Sequence, residues 1–265
     1  MPHCTVSDGT RLYYEDLGEG RPIVFVHGGG ANHALWEQQV VAFADEFRTI
    51  AFDHRGCGAS DTPRDGYTVD RYADDIAELI TGLDLRDVTI VTHGFGGHLA
   101  LRAVQRHPEV CERLVLCAAA PWYVGDRDGA GGFSDEFLEM LMTHSTSDYA
   151  AGQWEIIDNW LFRTDPGMPT KLWLLAQGLS WSVYAHNHLS DDLRSVDHRP
   201  YLPEIRQRAL VAHGVHDRKN RFEGSEHLAA LLPNAELVRF EESSHAVFAD
   251  EREKFNATVA EFVRA

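Results

Sequence analysis

The chain has 265 residues, of which 44% are hydrophobic and 25% are charged, proportions typical of a globular protein rather than a disordered or membrane-spanning one. Its formal net charge is −17, and so negative a surface repels phosphate backbones and anionic headgroups, which argues against nucleic acid and membrane as partners. No targeting segment opens the sequence and the cysteines lack CxxC or zinc spacing, so we expect a cytoplasmic protein with four free thiols: Cys4, Cys57, Cys111 and Cys117.

Short apolar runs alternate along the chain with segments of helical periodicity. The apolar runs predict strands at 11–15, 22–26, 49–52, 88–92, 113–117, 209–213 and 236–240. Between them, helical spacing predicts helices at 34–45, around Ile76 to Leu83, at 96–107 and around Phe255 to Phe262. Near-continuous apolar strands separated by helices predict a mostly parallel α/β sheet covered on both faces.

One segment, residues 121–198, interrupts this alternation with helical and loop sequence rich in tryptophan. We therefore predict a core domain over 1–120 and 199–265, and a helical cap over 121–198, a segment called the cap below. Four aromatic residues of the cap are candidates for lining a pocket that binds a bulky apolar substrate: Trp122, Phe133, Trp154 and Trp181.

Polar or glycine-rich loops follow five of the predicted strands. They are 27–30 (His-Gly-Gly-Gly), 53–60, 93–97 (His-Gly-Phe-Gly-Gly), the loop with Asp217 and the loop with His245. Because open parallel sheets bind ligands at the carboxyl ends of their strands, these loops are the expected functional site.

Taken in this order, the loops resemble those of the α/β-hydrolase superfamily from about Arg11 to Phe262. The resemblance implies an α/β-hydrolase fold with an eight-stranded type of sheet, in which nucleophile, acid and histidine follow in chain order. The acid then corresponds to Asp217 and the histidine to His245, while the backbone N–H groups of Gly29 and Phe95 form an oxyanion hole. We expect no cofactor and no metal.

The nucleophile position departs from the family's pattern. The family's elbow reads G-x-S-x-G, whereas residues 92–96 read Thr-His-Gly-Phe-Gly, so Gly94 stands at the place of the serine. Glycine accepts the strained elbow conformation but cannot attack a substrate, and losing the serine of a comparable triad costs roughly a factor of a million in turnover.

Three interpretations remain open from the sequence. The first is a Ser-His-Asp type of hydrolase for an apolar or aromatic carboxylic ester or lactone, inactivated by Gly94. In the second, glycine is native and the His245–Asp217 pair acts as a general base in water activation, lyase or cofactor-free oxygenase chemistry. The third is a non-catalytic binder of a small apolar ligand. The partner expected in each is a small apolar molecule, and a homodimer is compatible with all three.

The loop at 55–60 (Arg-Gly-Cys-Gly-Ala-Ser) is also similar to that of proline iminopeptidases. That family has His-Gly-Gly-Pro-Gly after its first long strand, however, and Gly30 and Ala31 replace the proline and the last glycine here. Ester or lactone hydrolysis is therefore favoured over peptidase activity.

Overall fold

A computed structural model describes residues 2–124, 132–144 and 148–265, with an eight-stranded sheet at its centre. Strands β1 to β8 are His3–Thr5, Arg11–Leu17, Pro22–Val26, Arg48–Phe52, Thr89–His93, Arg113–Cys117, Arg208–Gly214 and Ala235–Phe240. Their spatial order is β1-β2-β4-β3-β5-β6-β7-β8, in which β1 and β2 run antiparallel to their neighbours and all other pairs are parallel. The predicted mostly parallel α/β architecture is confirmed.

Helices cover both faces of this sheet. Helices α1 to α10 are Glu37–Phe43, Val69–Gly82, Phe95–Arg106, Asp135–His144, Tyr149–Asn159, Met168–Gly178, Val183–Leu193, Phe222–Leu231, Val247–Asp250 and Arg252–Arg264. α2, α3 and α8 pack on one face with Val24, Val26 and Ile50, while α1 and α10 pack on the other with Ile23 and Phe25. Every residue of β3, β5 and β6 is buried, which is why these strands lack the alternation of a half-exposed strand.

The helix predicted at 34–45 begins differently in the structure. The Asn32 side chain accepts a hydrogen bond from the N–H of Ala34 and starts a 3-10 turn over His33–Trp36, which leads into α1. The short strand β1 escaped the sequence analysis, because three residues at a sheet edge are too few to show a pattern.

The segment between β6 and β7 carries α4 to α7 and, among its described residues, adds no strand to the sheet. It rests on loops at the carboxyl edge of the sheet: the N–H of Ser182 donates to the Gly56 carbonyl at 2.8 Å, and Asp192 accepts from the N–H of Val69 at 2.7 Å. A division into core and cap at residues 121 and 198 stays a prediction.

The four cysteines are free and buried, as predicted. Burial raises the pKa of the Cys57 and Cys117 thiols, which makes both poor nucleophiles at neutral pH. Within the described residues, no helix is both long and apolar enough to cross a bilayer.

A buried ion pair ties the loop after β4 to α2. The Arg55 guanidinium, fully buried, donates to both carboxylate oxygens of Asp75 at 2.6 and 2.7 Å, and to Asp8 at 2.8 Å. Burial disfavours the charged form of Arg55, but these carboxylates outweigh it and its pKa is raised. Arg55 thus anchors the loop after β4 to α2.

Candidate active site

Gly94 occupies a sharp turn between β5 and α3. Its backbone has φ +48° and ψ −110°, a left-handed region in which side-chain-bearing residues are strained. Its N–H donates to the Cys117 carbonyl at 2.8 Å, and its carbonyl accepts from the N–H of Gly97 at 2.9 Å. Gly96 permits the close packing behind the turn, since a Cβ there would lie 2.7 Å from the carbonyl oxygens of Val26 and His27. The strand–turn–helix elbow expected from the sequence is present, with glycine at its apex.

Asp217 and His245, from the loops after β7 and β8, are in direct contact. The Nδ1–H of His245 donates to Oδ2 of Asp217 at 2.7 Å, and both side chains are almost completely buried. The other carboxylate oxygen accepts from the backbone N–H groups of Lys219 and Asn220 at 2.8 and 2.9 Å. This network fixes the carboxylate, which in turn fixes the orientation of the imidazole and places Nε2 on its far side.

His213, at the end of β7, is a further partner of the acid that the sequence analysis did not assign. Its Nε2 lies 3.0 Å from Oδ2 of Asp217, inside the same buried network. Although burial opposes ionisation of Asp217, its contacts with His245 and His213 lower its pKa. The carboxylate therefore stays charged and can stabilise a protonated His245.

The Nε2 atom of His245 is buried and has no hydrogen-bond partner among the described residues. It faces Gly94: a Cβ built on that glycine would lie 3.0 Å from Nε2 and 3.4 Å from Cε1. Buried polar atoms are nearly always paired in folded proteins, and an unpaired one needs an explanation. Here it marks the position from which an imidazole accepts a proton.

His93, the residue before Gly94, packs against the imidazole of His245. Its Nε2 donates to the His245 carbonyl at 3.2 Å, and the two ring centres are 4.6 Å apart. Burial, followed by the nearby His245, lowers the pKa of His93 well below its usual value. His93 is therefore neutral and positions His245 without adding charge.

Gly29 and Phe95, the residues expected to form the oxyanion hole, lie together beside Gly94. A Cβ on Gly29 would be 3.6 Å from the Phe95 ring, so the two backbones are close. Phe95 opens α3, where the first N–H groups have no acceptor within the helix. Neither N–H donates to another group in the described parts of the chain, which leaves both available to a ligand oxygen.

A cavity of about 30 Å³ lies over this site. Apart from the glycines of the 28–30 loop and the site residues, its lining is mainly aliphatic, with one amide and one ammonium group: Ala31, Leu35, Gln153, Ile156, Ile157, Leu161, Leu174 and Lys219.

The four aromatic residues expected to line the pocket are not among the described residues that do so. Phe133 packs in a small cluster with Phe137 and Trp160. Trp122 lies beneath the Arg199 guanidinium, and the Trp181 indole N–H donates to the Ala31 carbonyl behind the site. Trp154 is partly exposed on α5, and its neighbours Gln153, Ile156 and Ile157 face the cavity instead. The cap residues that line the cavity are instead Gln153, Ile156, Ile157, Leu161 and Leu174, which are aliphatic apart from one amide.

Away from Asp217 and His245, one group of potential metal ligands has its ligand atoms within 4.8 Å of one another: His27, Asp53 and Cys57. Each already has a protein partner: Asp53 accepts from His33 and Ala59, and the Cys57 thiol donates to the Ala31 carbonyl. The Nε2 of His27 lies 3.3 Å from the N–H of His54. These groups hold the loops after β3 and β4 in place.

The elbow, the acid–histidine pair and the N–H groups of Gly29 and Phe95, which have no acceptor among the described residues, thus meet at one edge of the sheet. The family model described as the alpha/beta hydrolase fold matches residues 21–173. The chain is 33% identical, over 99% of both chains, to the non-heme chloroperoxidase CPO-A1 of Kitasatospora aureofaciens. It is 32% identical to the AB hydrolase superfamily protein YisY of Bacillus subtilis, over 95% of this chain and 94% of that one. An esterase from Exiguobacterium antarcticum superposes with a TM-score of 0.92 at 32% identity, covering 99% of both chains. The chain belongs to the α/β-hydrolase family.

Proposed function

We propose that this protein hydrolyses a carboxylic ester or lactone, with His245 as general base for a water molecule that attacks in place of the family's serine. The observation that carries the proposal is the buried, unpartnered Nε2 of His245, held by Asp217 and facing Gly94. The similarity to the esterase from Exiguobacterium antarcticum supports acyl chemistry on this fold.

The reaction begins when Nε2 accepts a proton from water as its oxygen bonds to the substrate carbonyl carbon. The carbonyl π electrons move to oxygen, and the N–H groups of Gly29 and Phe95 stabilise the resulting oxyanion. Asp217 stabilises the imidazolium formed on His245. No acyl-enzyme is formed, since Gly94 has no nucleophile.

The tetrahedral adduct then collapses. The oxyanion electrons reform the carbonyl, the bond to the leaving oxygen breaks, and the imidazolium donates its proton to that oxygen. The products are a carboxylic acid and an alcohol, or one hydroxy acid from a lactone, and His245 returns to its neutral form. A positioned general base contributes roughly 10²- to 10⁴-fold to such a step, so turnover is expected to be slow for this family.

The mainly aliphatic lining of the cavity favours an aliphatic acyl group over an aromatic one. The aromatic substrate expected from the tryptophan content is therefore replaced in this proposal by an ester or lactone with an aliphatic acyl part.

The test is hydrolysis of phenyl acetate and δ-valerolactone by the protein and by its His245→Ala variant. We expect measurable turnover above the buffer rate, and a loss of about 100-fold or more in kcat/KM in the variant, because the base is gone. His188→Ala is the matched control, since His188 is an exposed histidine of α7, and it should leave the rate unchanged. Turnover that survives in His245→Ala, or none on any acyl substrate, contradicts the proposal.

The pH profile gives a second prediction. Burial lowers the pKa of His245 to about 4; Asp217 opposes this shift and Lys219 adds to it. Only the neutral imidazole accepts a proton. As the pH is lowered, kcat/KM should therefore fall with a midpoint near pH 4, and not near 6.5, the pKa of an unperturbed histidine. Circular dichroism at each pH controls for acid unfolding. A midpoint near 6.5 in folded protein would place the base elsewhere.

Abstraction of a C–H proton is a second candidate function, favoured by the same observation: a poised base without a nucleophile. In that reaction the N–H groups of Gly29 and Phe95 would stabilise an enolate. Isotopes separate the two: hydrolysis in H₂¹⁸O puts ¹⁸O into the product acid, whereas proton abstraction in D₂O puts deuterium into recovered substrate.

A further inference from the structure

Lys219 lines the same cavity as Gly94 and His245. It follows Asp217 by two residues, and its backbone is held on both sides. Its N–H donates to Asp217 at 2.8 Å, and its carbonyl accepts from the N–H of Ser134, before α4, at 2.9 Å. The lysine is thus fixed between the acid of the catalytic pair and the cap.

The ammonium group of Lys219 has no carboxylate within ion-pair distance among the described residues. The other two lysines of the chain do: Lys171 pairs with Asp158 and Asp165, and Lys254 pairs with Glu251. The contact recorded for the Lys219 ammonium is with the ring of Phe137, whose centre lies 5.3 Å away. In a chain with 41 acidic residues against 24 basic ones, a lysine beside the candidate site without a carboxylate partner among the described residues stands out.

Burial lowers the pKa of Lys219 to about 8, and the nearby Asp217 carboxylate opposes the shift. Lys219 therefore carries its charge at neutral pH. The carboxylate of Asp217 does not neutralise it by direct contact, because its oxygens are taken by His245, His213 and the backbone N–H groups of Lys219 and Asn220. The ammonium keeps its capacity to donate hydrogen bonds.

We propose that Lys219 selects ligands that carry a carboxylate, so that the substrate is a small ester or lactone bearing an anionic group. The inference rests on the proposed function, and it names the substrate class of that site. Among the described residues that line the cavity, Lys219 is the cationic one; the others are glycines, aliphatic residues, Phe95, two neutral histidines and one amide. A carboxylate there would gain charge-assisted hydrogen bonds that the Lys219 ammonium makes with no described residue.

The strongly negative net charge of the protein is the reason why an anionic substrate would need the Lys219 ammonium. A net charge of −17 disfavours the approach of anions in general, so an anionic ligand needs a local, buried cation to be held. A neutral ester does not need this cation. When bound, it would cover the Lys219 ammonium without giving it a hydrogen-bond acceptor, which lowers its affinity.

The experiment measures binding, which needs no turnover, by titration calorimetry at pH 7. The two probes are monomethyl succinate, an anion, and dimethyl succinate, its neutral diester. We expect the anion to bind about 10- to 100-fold more tightly to the protein, the range for one charge-assisted hydrogen bond. Lys219→Met keeps the length of the side chain and should abolish this preference, whereas Lys219→Arg should retain it.

The controls separate this proposal from the hydrolytic one. Lys254→Met removes a surface ammonium and should leave the preference intact, and His188→Ala, at an exposed position of α7, should also keep it; because the readout is binding, a protein without hydrolysis that keeps the preference contradicts the hydrolytic proposal alone. Raising the pH through about 8 should weaken binding of the anion as Lys219 loses its proton, with no change for the diester. Equal affinities for the two probes at pH 7, or a preference that persists in folded Lys219→Met, would overturn the proposal.

Discussion

Gly94→Ser should raise ester turnover by about 1,000-fold or more and introduce covalent labelling by a fluorophosphonate. Nε2 of His245 faces position 94, Asp217 holds the imidazole, and the N–H groups of Gly29 and Phe95 have no acceptor in the described parts of the chain. A serine hydroxyl would use this base to form an acyl-enzyme, dividing one difficult step into two easier ones. In a comparable triad the serine accounts for roughly a million-fold in turnover.

The same substitution should lower stability. The φ of +48° at residue 94 strains any side-chain-bearing residue, by about 1–3 kcal/mol. A Cβ would also sit 3.0 Å from Nε2 of His245, so the imidazole must shift by a few tenths of an ångström. The expected variant is faster and melts at a lower temperature.

Gly94→Ala is the matched control for this experiment. It adds the same Cβ and the same backbone strain without a hydroxyl, and should show the lower melting temperature with neither labelling nor faster turnover. Mass spectrometry of the labelled elbow peptide and initial rates on phenyl acetate provide the readouts. A folded Gly94→Ser protein that is neither labelled nor faster would contradict the assigned geometry.

Asp75→Ala should destabilise the fold by about 3–5 kcal/mol, because it leaves the fully buried Arg55 guanidinium without its bidentate partner. The effect is structural, since Arg55 anchors the loop after β4 and Asp75 lies on α2. Urea unfolding followed by circular dichroism measures the free energy of unfolding.

Asp70→Ala is the control on the same helix. Asp70 is about half exposed and pairs with Arg102 and Arg106 at the surface, where such pairs contribute less than about 1 kcal/mol. The double variant Arg55→Met/Asp75→Leu removes both charges and should be more stable than Asp75→Ala alone. Equal losses for Asp75→Ala and Asp70→Ala would show that the buried pair has no special role.

Much of the candidate site is predictable from strand ends. Gly29, Gly94, Asp217 and His245 each follow a short apolar run, and parallel strands bring their carboxyl ends to one edge. The contact between His245 and Asp217 at 2.7 Å follows from that arrangement. His213 and His93 were visible in the sequence next to these loops, yet their roles depend on ring orientation, which spacing does not reveal.

The cap residues that line the cavity, in contrast, could not be predicted from the sequence. Tryptophan content suggested an aromatic pocket, but the residues facing the cavity are Gln153, Ile156 and Ile157 of α5. Which side of a cap helix faces the site depends on how that helix packs on the core, and α5 has a weak amphipathic pattern with few buried residues of its own. Composition therefore named the wrong side chains.

The amino-acid sequence by itself determined the parallel sheet, the order of the loops and the glycine at the elbow, because strand periodicity and the residues just after each strand are local properties. Only the tertiary structure decided that Lys219 has no carboxylate partner among the described residues, that Arg55 and Asp75 form a buried pair, and that the cavity beside His245 is mainly aliphatic. Those features depend on side chains distant in sequence meeting in three dimensions, and on the desolvation that follows.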